Sequence, residues 1–192
     1  METILGLCIG IGLSAACGFR VFVPLLVMSI ASLMGWFEPM QGFEWLAMPA
    51  VCLALGIATV CEIAAYYIPW VDNVLDTVST PAALIAGTLA TMATSSGEMS
   101  QFANWAAAII VGGGTASAVQ LSTVAVRGIS TATTGGIANP VVSTGEWMGA
   151  LLLSVLSFIV PILVVIVGLI TLVWVLRWLR LKKRNNISSS PL

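Results

Sequence analysis

The sequence predicts an all-α polytopic membrane protein with about five transmembrane helices. Three observations carry that fold class. The 192-residue chain is 59% hydrophobic and only 8% charged, with a mean hydropathy of +1.06. A soluble domain is roughly a quarter charged, so this chain cannot cover a water-facing surface. Long apolar runs alternate with short polar segments, as membrane spans and their loops do. Five of the seven basic residues (Arg177, Arg180, Lys182, Lys183 and Arg184) abut the last apolar run. That cluster marks a cytoplasmic flank and places the C-terminus inside.

Residues 3–35 form one apolar run, long enough for a span plus a break near SAACGFR (14–20). Arg20 sits mid-run, where a bare guanidinium costs at least ~2.5–3.5 kcal/mol. It is expected to face the bundle interior and meet a carboxylate, for example Glu62 or Asp76; the alternative is snorkelling at the start of the span. Glu2 is the only charge before the run, so LSAAC (13–17) is not read as the end of a cleaved signal. The second span runs from about Trp45 to Pro69. It carries Glu62, a second candidate buried charge, with Tyr66, Tyr67 and Trp70 read as an interfacial belt.

VDNVLDTVSTPA (71–82) is a polar segment between apolar runs. As a helix it presents Asp72 and Asp76 on one face and Asn73, Thr77 and Thr80 on the next. Thr80-Pro81 reads as a cap and helix start, which makes the third span short, Pro81 to about Thr94. The fourth span covers Asn104 to about Arg127. It opens on VGGGTASA (111–118) and continues as a polar stripe of Ser117, Gln120, Thr123 and Arg127, which must face protein or water. Asn139-Pro140 is a further helix start. The last run, Glu146 to Leu181, would be about 54 Å long as one helix, with a kink at Pro161. Splitting it there gives the six-span alternative. Residues 1–184 form one transmembrane domain, and 185–192 are expected to be a disordered cytoplasmic tail.

An internal repeat is the second clue. An offset near 101 aligns Gly12, Ser14 and Ala15 with Gly113, Thr115 and Ala116, Gly35 with Gly136, and Pro39 with Pro140. A one-residue slip then brings Glu44-Trp45 onto Glu146-Trp147. Repeats 3–70 and 104–181 flank the short central helix, so the second copy is inverted, as in small transporters.

The candidate solute- or ion-binding residues are Arg20, Glu62, Asp72, Asn73, Asp76, Thr77, Gln120, Arg127 and Asn139. Polar groups at membrane depth must pair or line a wet cavity. The chain has no histidine, and its four cysteines form no CxxC, so no metal site and no cofactor is expected. Two aspartates on one helix do not make a catalytic dyad, so the protein is not read as an enzyme. No nucleic-acid partner is expected either, the basic patch being explained by topology. The partners are the lipid bilayer and a small solute or lipid headgroup, and the chain's size calls for a homodimer to enclose a pathway. A small transporter- or channel-like protein is the first reading, and a structural or assembly protein the alternative.

CGFR (17–20), YIPWVDNVLD (67–76) with TPA (80–82), GGGTASA (112–118), and STATTGG (130–136) followed by Asn139-Pro140 carry a resemblance. Together they resemble an uncharacterised family of small bacterial membrane proteins, domain of unknown function 4126. The resemblance implies a polytopic inner-membrane protein and brings no catalytic assignment.

Overall fold

The computed structural model describes residues 2–68, 71–95 and 99–188. Every regular element among them is helical: α1 (Glu2–Phe19), α2 (Phe22–Leu33), a 3-10 turn (Glu44–Ala47), α3 (Pro49–Ala65), α4 (Val71–Ala93), α5 (Gln101–Ala107), α6 (Gly114–Thr134), α7 (Asn139–Ile159) and α8 (Pro161–Ser188). A π-helical segment, Ala108–Gly113, joins α5 to α6. Three stretches are long and apolar enough to cross a membrane: Val74–Ala93, Gln101–Thr134 and Asn139–Ile159. Thr3–Phe19, Phe22–Leu33, Pro49–Ala65 and Pro161–Val175 are shorter apolar helices.

Helix α1 is the axis of the bundle, packed by α4, α6, α7 and α8. Small residues explain how so many neighbours reach it. A Cβ placed on Gly18 would strike the Ala116 carbonyl and Val119, and one on Gly87 would strike Ala116 and the Gly112 carbonyl. The backbone of α1 therefore meets that of α6, and through Gly10 that of α4, while α4 meets the π segment; these contacts are held by dispersion between close-set atoms, as expected where lipid removes the hydrophobic drive between helices. Ser14 adds polar links: its Oγ donates to the Gly87 carbonyl (2.7 Å) and lies 2.8 Å from Thr91 Oγ1.

The break expected in the first run falls at Arg20 and Val21, between α1 and α2. Three other readings change. Thr80-Pro81 does not start a helix; α4 is continuous from Val71, with Pro81 inside it. Thr80 Oγ1 donates back to the Asp76 carbonyl (3.0 Å) instead of capping. A proline costs the helix one backbone bond, which α4 tolerates because it is buttressed along its length. The polar segment and the third span are thus one element. The final run is not one kinked helix: Val160 (φ −139°, ψ 60°) leaves helical geometry, ending α7 at Ile159 and starting α8 at Pro161. Pro161 cannot donate to α7's ladder, and it favours extended geometry in the residue before it. The segment expected to be a disordered tail continues α8 through Ser188, and 189–192 lie outside the described residues.

Helix α2 ends at Gly35 (φ +72°), and α6 ends at Gly135 (φ +64°) and Gly136 (φ +89°), left-handed positions that favour glycine. In the loop after α2, the Gly42 N–H donates to Glu44 Oε2 (2.9 Å), which holds that carboxyl below its ordinary pKa.

Gly112→Ala should lower stability by about 1–3 kcal/mol, since its Cβ would meet Thr91 and the Gly87 carbonyl. Gly128→Ala, with open space around the new methyl, should be neutral or gain up to about 1 kcal/mol in helix propensity. Thermal unfolding in detergent distinguishes the two, and equal effects would remove the backbone-contact account.

Candidate functional site

Four charged side chains from four parts of the bundle meet at one place. Arg20 follows α1, Asp76 lies on α4, Arg127 on α6 and Glu146 on α7. Arg20 Nη2 donates to Glu146 Oε2 (2.9 Å). Glu146 Oε1 lies 3.2 Å from Arg127 Nε, and Arg127 Nη1 lies 2.6 Å from Asp76 Oδ1. The result is an alternating chain of cation, anion, cation, anion. Both arginines are 1% exposed. Charges taken out of water are tolerated in such a place only when paired, so each member depends on the next.

Helix geometry explains why these four meet. Arg127 lies seven residues before the end of α6 at Thr134, and Glu146 seven after Asn139, about 10 Å along each helix from their shared turn. Asp76 is five residues into α4, so α4 brings its polar first turns to the same end. On α6, Gln120, Thr123 and Arg127 are buried, so the polar stripe does face protein.

Tyr66 sits beneath both cations. The guanidinium carbons of Arg20 and Arg127 lie 3.6 and 4.4 Å from its ring centroid. Its hydroxyl is 2.8 Å from Ser79 Oγ of α4. The ring face attracts cations without requiring a third carboxylate.

Glu62 takes another role. Its two oxygens accept from the N–H groups of Val21 (2.8 Å) and Phe22 (3.1 Å), so it caps α2 from the neighbouring α3. Helix N-termini leave such donors unpaired and carry a partial positive charge that a carboxylate complements. The partner expected for Arg20, Glu62 or Asp76, is instead Glu146.

Of the other candidates, Gln120 is buried on the α6 stripe. Asn139 is buried at the α6–α7 corner, where its Nδ2 donates to Thr131 Oγ1 (3.0 Å), two turns from Glu146. Thr77 is exposed, on a different face of α4 from Asp76 and Ser79. The side chains of Asp72 and Asn73 lie outside the described residues, as do Trp70 and the side chains of Arg180, Lys182, Lys183 and Arg184; Arg177 is exposed.

The profile of the family described as "Domain of unknown function (DUF4126)" matches residues 7–181. The chain belongs to that family. No curated protein and no solved structure matches it. The matched span contains every member of the charge chain, and with it a membrane-type helical bundle.

Sequence reasoning missed Glu146 and Tyr66 as site residues. Glu146 stands at the head of an apolar run beside Trp147, as an interfacial residue would. Its alignment with Glu44 disguised it further, because Glu44 lies in an exposed loop. Tyr66 was grouped with its neighbour Tyr67, which does look outward and bonds Thr144 Oγ1 (2.7 Å). A signal was available: an arginine within an apolar run demands a carboxylate, and the chain has few.

Removing one partner strands the others, so single changes should be severe and not additive. Arg20→Gln and Glu146→Gln should each cost about 3–5 kcal/mol, and the pair should couple by roughly 1–3 kcal/mol. A double-mutant cycle on unfolding in detergent checks this, and additive costs would mean the two side chains do not share one network.

Proposed function

We propose that this protein is a small transporter- or channel-like protein of the bacterial inner membrane, with the Arg20–Glu146–Arg127–Asp76 chain as its polar intramembrane site. The observation that carries the reading is the burial of four charges drawn from separate helices about two turns inside one end of the bundle. Apolar side chains of the same volume would hold helices together at no desolvation cost. Ionisable groups at such depth are by default a pathway or binding feature. The helix break at Arg20 puts irregular backbone beside the site, as in carriers with discontinuous helices. Aligned Gly35 and Gly136 both adopt left-handed φ, which supports an inverted repeat. The solute is small, or is a lipid headgroup, and a second copy completes the pathway. The basic end of α8 is cytoplasmic, by the positive-inside rule. No chemical conversion is assigned to the site.

A structural or assembly role is the second reading, favoured by the backbone contacts among α1, α4 and the π segment. On that reading the charge chain is a staple.

Proteoliposomes of the full-length protein separate the two. After hyperosmotic shrinkage in glycerol, sodium phosphate or sodium sulfate, light scattering should show reswelling faster than in protein-free vesicles for at least one solute. Asp76→Asn protein of native helix content should lose about tenfold or more of that rate, as ~1.4 kcal/mol on a barrier does. Gly128→Ala should keep it. Reswelling no faster than in empty vesicles for every solute would leave the assembly role.

A further inference from the structure

The charge chain satisfies its acceptors better than its donors. Glu146 gives one oxygen to each arginine, and Asp76 meets Arg127. Each guanidinium offers five N–H donors. Besides Glu146, the one hydrogen-bond acceptor that Arg20 meets among the described residues is the Ser143 carbonyl, through Nη2 at 3.4 Å. Arg20 Nε and Nη1, Arg127 Nη2 and Gln120 Nε2 have no partner among the described residues, and all three side chains are 1% exposed. Ser143 Oγ and Ser130 Oγ are likewise buried without a partner among those residues. Two guanidiniums over one tyrosine ring, with spare N–H groups of their own, match an oxyanion, which accepts several hydrogen bonds in a forked geometry.

Charge balance sets a condition. The charged groups facing Glu146 are Arg20 from the end of α1, Asp76 from α4 and Arg127 from α6, while α2 brings none; Glu62 of α3 and Tyr66 just after it face the same two arginines. Two cations therefore face three carboxylates. The carboxylates already outnumber the cations, so an added anion would deepen the negative excess unless a carboxylate were neutralised.

Taking the cluster to be the ligand site proposed above, we infer that it binds a small oxyanion, free or on a lipid headgroup, together with a proton taken up by Glu146. In the unliganded protein Glu146 bridges the arginines as an internal substitute for that anion. On binding, a proton from solvent converts its carboxylate to the carboxylic acid, and both guanidiniums turn their charge to the ligand. Anion and proton then bind with positive coupling, each tightening the other by the same factor. The arrangement is that of a proton–anion carrier.

Sulfate tests this directly, because its charge is constant between pH 5.5 and 8. Isothermal titration of the full-length protein in detergent, in buffers of different ionisation enthalpy, should show about one proton taken up per sulfate bound. Affinity should rise by up to about tenfold for each unit of pH decrease, the limit for one coupled proton. No proton uptake, or affinity that falls on acidification, overturns the proposal without any variant being made. Glu146→Gln, a permanently neutral isostere, should bind sulfate at least as tightly as wild type and without the pH slope. If it retains the slope, Glu146 is not the proton acceptor and the proposal fails. Repeating the titration in nanodiscs distinguishes the sources of the oxyanion. Phosphatidylglycerol that weakens sulfate binding relative to phosphatidylcholine assigns a headgroup, and equal affinity in both assigns a free anion. Binding without flux in the reswelling assay would sink the conduit alone, and flux without sulfate binding would sink this inference alone.

Discussion

A charge buried in a medium of low dielectric has to be matched within a few ångströms, and that requirement organises this bundle. Arg20 and Arg127 cannot be lodged where they are unless Glu146 lies between them and Asp76 closes the far side. Satisfying both arginines fixes the rotation of α6 and α7 and the height of α4. It also fixes the end of α1, because Arg20 leaves the helix at the point where its side chain can reach α7. The rest of the polar inventory follows: Tyr66 floors the cations, and Ser79 anchors Tyr66.

The remainder of the bundle is held in a different manner. Away from the charges, α1, α4 and the π segment meet through glycine, alanine and serine, close enough that a methyl group at Gly87 or Gly112 has no room. Long-range electrostatic pairing at one end and short-range dispersion beyond it make two regions with different sensitivities. The first responds to protons and ions, the second to side-chain volume. A bundle this small has little apolar area to bury within itself, and much of its apolar surface faces outward on α3, α7 and α8.

Class, burial and the helix break were legible from residue types. Apolar runs, an arginine inside one of them, and a polar stripe at helical spacing each have one physical solution in a membrane, and α1, α2 and α6 adopt it. What failed was partner choice, which is tertiary. Glu62 and Asp76 both stand near polar features, which makes them the local choices for Arg20. Nothing local showed that Glu62 would be consumed by the backbone of Val21 and Phe22. The two prolines depart from their local reading in opposite directions. At Pro81 neighbouring helices carried α4 through the lost backbone bond, whereas at Pro161 the residue before it left helical geometry and a kink became a break.

The cap that Glu62 places on α2 has a mechanical consequence. Helix α3 makes its helix contacts chiefly with α2, and the carboxylate ties its far end to the first residues of that same partner. The two therefore form one leaf, hinged to α1 at Arg20 and Val21. Straightening the hinge into a continuous rod would return those two N–H groups to the α1 ladder and strip Glu62 of both its bonds. The bend is thus locked from outside the strand of chain that makes it, and the lock lies one residue from the arginine at the heart of the bundle.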